Sequence, residues 1–271
     1  MNATGGPEVR DRPPALLTAL EGRAILEFHA MAALFPALST LPRGDRHTVV
    51  VLPGLGAGDR STALLRALIR RLGYPTQGWD LGRNVGPTPA IVTGLRRLVD
   101  RLAPVAPVTI IGWSLGGMYA RAIASRHPEL VRQVITLGSP LTALEGGDEA
   151  IEAAWDAVWS YDRPSSEPVG LRHRPTLAVP STSIYTRTDG VVPWERCILP
   201  PAARHENVEV WGSHCGLGAN PLAAHVIADR LRVAPEHWRP FRTRPVLESA
   251  DSPTDDQEHP AIGTRRQSGT S

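Results

Sequence analysis

"VTIIGWSLGGMYARAIA", residues 108–124, passes from an apolar run through a Gly–Trp–Ser–Leu–Gly–Gly turn directly into a helical pattern. The run 107–113 reads as a buried strand and the residues after Ser114 as a helix to about Arg126. Residues 112–116 fit G-x-S-x-G, and the strand-to-helix context is the one in which that pattern carries chemistry. A serine at such a turn is pushed above the sheet edge in a strained backbone. Glycines two positions before and after it, Gly112 and Gly116, let the neighbouring backbone pass, and Gly117 lets the helix lie close to the sheet. Trp113 and Leu115 point away from the tip and pack beside it. The helix start presents N–H groups and a positive dipole end to a developing oxyanion, with Leu115 as one donor. Tight strand–helix turns also occur with serine as a plain cap, so the turn alone leaves both readings open.

Working outward, Val- and Ile-rich runs alternate with helical patterns, which argues for a parallel sheet covered on both faces. The strands are expected at 47–53, 76–81, 107–113, 131–138, 181–187 and 206–212. Ser61 is placed to cap a helix that uses Leu64, Leu65, Leu68 and Leu72 on one face and ends at Gly73. Thr88 and Pro89 announce a helix to about Leu102, and Asn220 with Pro221 a last one to about Arg232. Residues 141–178 break the alternation with one helix (Asp148 to Trp159) and a proline-rich return, the form of a lid or binding loop. Trp155, Trp159 and Tyr161, with Leu141 and Leu144, would make an apolar pocket beneath it.

A serine hydroxyl becomes a nucleophile near neutral pH when a histidine accepts its proton and a carboxylate orients that histidine. In the strand–turn–helix version of the site the chain order is Ser, acid, His. Both partners belong after strands, at the carboxyl edge of the sheet. Asp189 follows the strand at 181–187 and His214 the strand at 206–212. His205, His225 and His237 lie before a strand, inside a helix or near the tail, while Asp162 and Asp80 are competing acids. The second oxyanion donor is expected from the glycine-rich loop 52–61, at the N–H of Leu55. Gly54, Gly56 and Gly58 there resemble a dinucleotide fingerprint, but Asp59 stands where its third glycine belongs and would repel a pyrophosphate. No cofactor and no metal is expected. Arg83 and Asn84 either meet a polar group of the substrate or bond loop backbone.

Length and composition set bounds. The chain of 271 residues, 42% apolar, suits one large core, and 29 basic against 27 acidic side chains leave a charge of +2 that invites no nucleic acid. Cys197 and Cys215 lack zinc-site spacing; a single bridge between them is geometrically possible, and a reducing compartment favours free thiols. The domain is expected over 43–242, with disordered ends at 1–14 and 243–271. The polar, proline-rich start reads as an intracellular, cytoplasmic protein. The helical segment 15–42 holds an apolar stretch, Ala15–Leu38, interrupted by Glu21, Arg23, Glu27 and His29, which a span of about 20 apolar residues would not tolerate. It reads as a helix packed on the domain, or as one that touches lipid or guards a site.

With these residues in place the chain resembles the α/β-hydrolase superfamily over about residues 40–235. The carriers are "PGLG" (53–56), "GWSLGG" (112–117), "TDGVVPW" (188–194) and "GSHCGLG" (212–218). The resemblance implies the α/β-hydrolase fold: a mostly parallel, doubly wound sheet of eight strands, with a short lid after the sixth that the segment 141–178 would match. It implies a serine esterase, lipase or thioesterase. "GWSLGG" is also similar to the nucleophile turn of pimeloyl-carrier methyl ester esterases. "GWDLGRN" (78–84) with "GSHCGLG" looks like a bacterial lipase-like subgroup. Pro53–Gly54 stands where many relatives have His–Gly, which weakens transfer of the substrate class and not of the triad. The expected reaction is ester hydrolysis through an acyl-enzyme, on a small-molecule substrate with an apolar acyl chain; the alternative is an acyltransferase with the same triad.

Overall fold

The computed structural model describes residues 12–141 and 176–242. The helix expected from Asp148 to Trp159, most of the lid 141–178, Asp162 and the tail 243–271 lie outside the described residues, as do residues 1–11.

Two helices open the described chain, α1 (Ala15–Ala19) and α2 (Ala24–Leu38), joined by a tight helical turn over Leu20–Arg23. Strands and helices then alternate: β1 (Val49–Leu52), α3 (Ala63–Arg71), β2 (Thr76–Gly78), α4 (Pro89–Leu102), β3 (Val108–Trp113), α5 (Leu115–Arg126) and β4 (Val131–Leu137). After the interruption come β5 (Ser181–Tyr185), β6 (His205–Glu209) and α6 (Pro221–Arg232). The six strands form one sheet in the order β2-β1-β3-β4-β5-β6, and every neighbouring pair is parallel.

Helices cover both faces. Val50 and Leu52 of β1 with Val108 and Ile110 of β3 meet α4 and α5 on one side. Val49, Val51, Ile111, Ile135 and Ile184 meet α2, α3 and α6 on the other. Side chains alternate across the pleat, so each central strand feeds both cores, and no position on β1 is left for a polar residue.

The sheet has six strands among the described residues, where the resemblance implies eight. Residues 12–48, ahead of the first strand, are helix and loop, with helix-forming Ala and Leu frequent over Ala15–Leu38. The interrupted segment therefore follows the fourth strand of this sheet. Smaller differences have local causes. β2 stops at Gly78 because the N–H groups of Trp79 and Asp80 donate to the Asp59 carboxylate, at 3.1 and 3.0 Å, and leave the ladder. Thr62, not Ser61, precedes α3, since the Ser61 hydroxyl turns back to donate to the Gly58 carbonyl. The caps at Thr88 and Asn220 form as expected: Thr88 Oγ1 accepts from Ile91, and Asn220 Oδ1 accepts from Leu222 and Ala223.

The segment Ala15–Leu38 packs on the domain, with α2 against α3 and α6. Met31 and Leu38 of α2 enter the core, while Ile25, Leu26, Phe28 and Leu34 stay exposed. Among the described residues no helix is long and apolar enough to cross a membrane.

Candidate active site

Ser114 sits between the last residue of β3 and the first of α5, with φ +51° and ψ −122°. A positive φ is costly for any residue with a Cβ. Two bonds hold the turn: the Ser114 N–H donates to the Leu137 carbonyl at 2.8 Å, and the Ser114 carbonyl accepts from Gly117 at 2.9 Å. The glycines around it are required by close approach. A Cβ on Gly112 would lie 2.3 Å from the Gly117 Cα, and one on Gly116 would lie 2.4 Å from the Leu52 carbonyl oxygen. Trp113 packs beside the turn and its indole N–H donates to the His214 carbonyl at 3.1 Å, while Leu115 is buried.

Asp189 follows β5 and His214 follows β6, and the parallel sheet brings both loops to the edge that carries Ser114. His214 Nε2 lies 3.0 Å from Ser114 Oγ, and His214 Nδ1 lies 2.7 Å from Asp189 Oδ2. An ionised carboxylate only accepts, so Nδ1 carries the ring proton and the Nε2 lone pair faces the serine hydroxyl. Asp189 is 2% exposed, and its other oxygen accepts the N–H groups of Val191 and Val192 at 2.8 and 2.7 Å, so the buried charge is fully satisfied.

Leu55 lies in the turn after β1, with its side chain exposed. The loop runs against Ser114: a Cβ on Gly54 would be 3.2 Å from Ser114 Cβ. Leu115 opens α5, so its N–H is one of those a helix leaves without an internal partner. Arg83 and Asn84 bond loop backbone. Arg83 Nε donates to the Gly56 carbonyl at 2.8 Å, and Asn84 Nδ2 to the Pro53 carbonyl at 2.9 Å. Asn84 Oδ1 accepts from Gly86 and from the Tyr119 hydroxyl. Asp59 spends its carboxylate on the backbone of Trp79 and Asp80.

The amino-terminal helices supply residues that the sequence did not single out as part of the site. Glu21 Oε1 accepts the N–H of Gly190 at 2.8 Å and of His214 at 3.0 Å; Oε2 accepts the N–H of Cys215 at 2.8 Å. Glu27 accepts from the Ser213 N–H and hydroxyl and from the Asn220 amide. The Arg23 guanidinium donates to the carbonyls of Thr188 and Gly212. These charges were visible as interruptions of an apolar helix. Burial, with the Glu21 carboxylate beside it, pushes the free Cys215 thiol up to about 11. Cys197 is free and buried. Among the described residues no group of three or more His, Cys, Asp and Glu is arranged to hold a metal.

A model of the alpha/beta hydrolase fold family matches residues 26–209. The biotin biosynthesis bifunctional protein BioHC of Teredinibacter turnerae is 41% identical over 125 residues, which are 44% of this chain and 22% of that protein. The chain thus spans less than a quarter of the length of that curated relative. A structure described with the metagenome-derived lipolytic enzymes LipS and LipT is 20% identical with a TM-score of 0.47, over 70% of this chain and 93% of that one. The monoacylglycerol lipase of Paleococcus ferrophilus is 16% identical with a TM-score of 0.49, over 70% of this chain and 96% of its own.

Proposed function

We propose that this chain, which belongs to the α/β-hydrolase-fold family, hydrolyses carboxylic esters through an acyl-enzyme formed on Ser114. The observation that carries the reading is the unbroken hydrogen-bonded line from Ser114 Oγ through the His214 ring to Asp189, built on a strained turn at the sheet edge.

Each step assigns one bond and one proton. Ser114 Oγ adds to the ester carbonyl carbon while its proton passes to His214 Nε2, and Asp189 stabilises the imidazolium that forms. The N–H groups of Leu115 and Leu55 hold the oxyanion. As the tetrahedral species collapses, the carbon–oxygen bond to the alcohol breaks and the alcohol leaves with the proton from Nε2. Water then adds to the acyl-enzyme, giving its proton to Nε2, and the serine departs by taking that proton back.

The substrate is a small-molecule ester with a short or medium apolar acyl chain, met in the cytoplasm. A cavity of about 290 Å³, walled by Ala24, Ile25 and Phe28 of α2 with Trp113, Cys215 and Ala219, supports an apolar group beside the loops that bear Ser114 and His214. The similarity of the nucleophile turn to that of pimeloyl-carrier methyl ester esterases supports the same class.

The test is turnover of p-nitrophenyl butyrate. Ser114→Ala should lower kcat by several orders of magnitude with the fold intact, and a fluorophosphonate probe should label Ser114 in the wild type. Hydrolysis retained by Ser114→Ala would overturn the assignment. Product that becomes an ester of added alcohol, without release of free acid, would point to acyl transfer instead.

A further inference from the structure

We infer that Glu21 is a positioning residue: its carboxylate ties the loop that carries Asp189 to the loop that carries His214 and so sets the His214–Asp189 and His214–Ser114 distances. The inference rests on the reading of Ser114, His214 and Asp189 as the reacting triad.

The two loops leave the carboxyl ends of neighbouring parallel strands, β5 and β6. One oxygen of Glu21 receives the N–H of the residue after Asp189 and the N–H of His214 itself; the other oxygen receives Cys215. The Glu21 carboxylate thereby spans the two loops, which also meet where the Thr186 and Thr188 hydroxyls donate to the Gly212 carbonyl at 3.1 and 2.7 Å. Its neighbours on the same helical segment work on the same backbone. Thr18 Oγ1 donates to the Gly190 carbonyl at 2.7 Å, and Arg23 donates to Thr188 and to Gly212. Glu27 holds Ser213, the residue before His214, by both its N–H and its hydroxyl.

The glycines of these loops mark where the segment docks. A Cβ on Gly190 would lie 2.3 Å from the Leu17 carbonyl oxygen, and one on Gly216 would lie 2.4 Å from the Glu27 carboxyl carbon. The acid and histidine loops are therefore shaped to receive this helix. The contacts are polar and directional, and they end on the triad's own backbone, whereas Met31 and Leu38 supply the apolar anchorage further along α2. Anchorage and alignment are thus carried by different residues, which lets an experiment separate them.

The experiment compares wild type, Ser114→Ala, Glu21→Gln and Leu38→Ala in the full chain. It measures melting temperature, kcat and KM for p-nitrophenyl butyrate, and the rate at which a fluorophosphonate labels Ser114, each per folded molecule. Glu21→Gln replaces one acceptor oxygen with a donor facing N–H groups. It should lower kcat and the labelling rate together by about 10- to 100-fold with KM within about twofold, because misplacing reacting groups by about 1 Å has that effect. Leu38→Ala should lower the melting temperature and leave kcat near the wild-type value. If Glu21→Gln does not fold, Glu21→Asp keeps the charge on a shorter stem and should show a partial loss of kcat by the same readouts. Wild-type kcat and labelling in the folded Glu21 variant, with Ser114→Ala inactive, would overturn the inference. Turnover by Ser114→Ala would instead overturn the reading of the triad, a separate and recognisable result.

Discussion

The Glu21 carboxylate accepts the backbone N–H of His214 at 3.0 Å across 193 positions of sequence. An early helical segment thus meets His214, and the arrangement of the candidate triad involves a segment outside the alternating strands and helices.

Acid stability should report this contact. Burial opposes ionisation of Glu21, but N–H groups of Cys215, Gly190 and His214 outweigh it and hold the carboxyl below its ordinary value. A carboxyl with a lower pKa in the folded than in the unfolded state contributes stability above the unfolded pKa. It loses that contribution as pH falls through the folded value. The melting temperature of the wild type should therefore fall as pH drops below the ordinary carboxyl value, and Glu21→Gln should flatten that part of the curve. Calorimetry across the range checks it; parallel curves for the two proteins would remove Glu21 as a contributor.

Gly138 is expected to be intolerant of a side chain. It follows β4 with φ +55°, and a Cβ there would stand 3.1 Å from His214 Nδ1, 3.2 Å from Asp189 Oδ2 and 2.8 Å from Leu217 Cδ1. Gly138→Ala should lower kcat by about tenfold or more, since the His–Asp pair must shift, beyond the roughly 1–2 kcal/mol of a left-handed alanine. Gly82→Ala has φ +75° and open space around the added methyl, so it should show the stability loss alone. Steady-state kinetics beside thermal melts separate the two effects.

Asn84 is fully buried and braces the loop of Leu55 through the Pro53 carbonyl. Asn84→Ala leaves that carbonyl, the Gly86 N–H and the Tyr119 hydroxyl short of a partner. It should cost about 1–3 kcal/mol of stability and lower kcat more than it raises KM, if Leu55 donates to the oxyanion. Unchanged kcat in a stable Asn84→Ala protein would remove this loop from the reaction.

Chain-length preference should respond to the cavity under α2. Ala24→Phe fills space between Ile25, Phe28 and Trp113. Longer p-nitrophenyl esters should lose about tenfold or more in kcat/KM, against little change for the acetate, because each excluded methylene removes a favourable contact. An unaltered profile across the series would place the acyl chain elsewhere.

The carboxyl edge of the parallel sheet was the most legible part of the sequence. Three candidate positions stand at that edge: Ser114 after β3, Asp189 after β5 and His214 after β6. Topology fixes where such positions meet, so order along the chain is enough to pair them. Caps at Thr88 and Asn220 were equally readable, because the interaction is local. Partnership over distance was not. Glu21, Arg23 and Glu27 looked like charges interrupting an apolar helix, and nothing in a helical period says that three backbone N–H groups from residues 190–215 wait for one carboxylate. The expected end of β2 failed for the same reason: Asp59, a loop residue, captures the N–H groups that would have extended the strand. The number of strands came from the resemblance, and the described residues form six.

Synthesis on the ribosome gives the long reach from Glu21 to His214 a temporal meaning. At about 5–20 residues per second, the 193 positions between them take roughly 10 to 40 seconds to emerge. Through that interval the nascent Glu21 and Glu27 have water as their partner. The exposed apolar flank of α2, with Ile25, Leu26 and Phe28, travels with them before the last strand can pair. Glu21 and Glu27 are then locked only after residues 213–215 have emerged, and the hydrogen-bonded line through His214 closes no earlier.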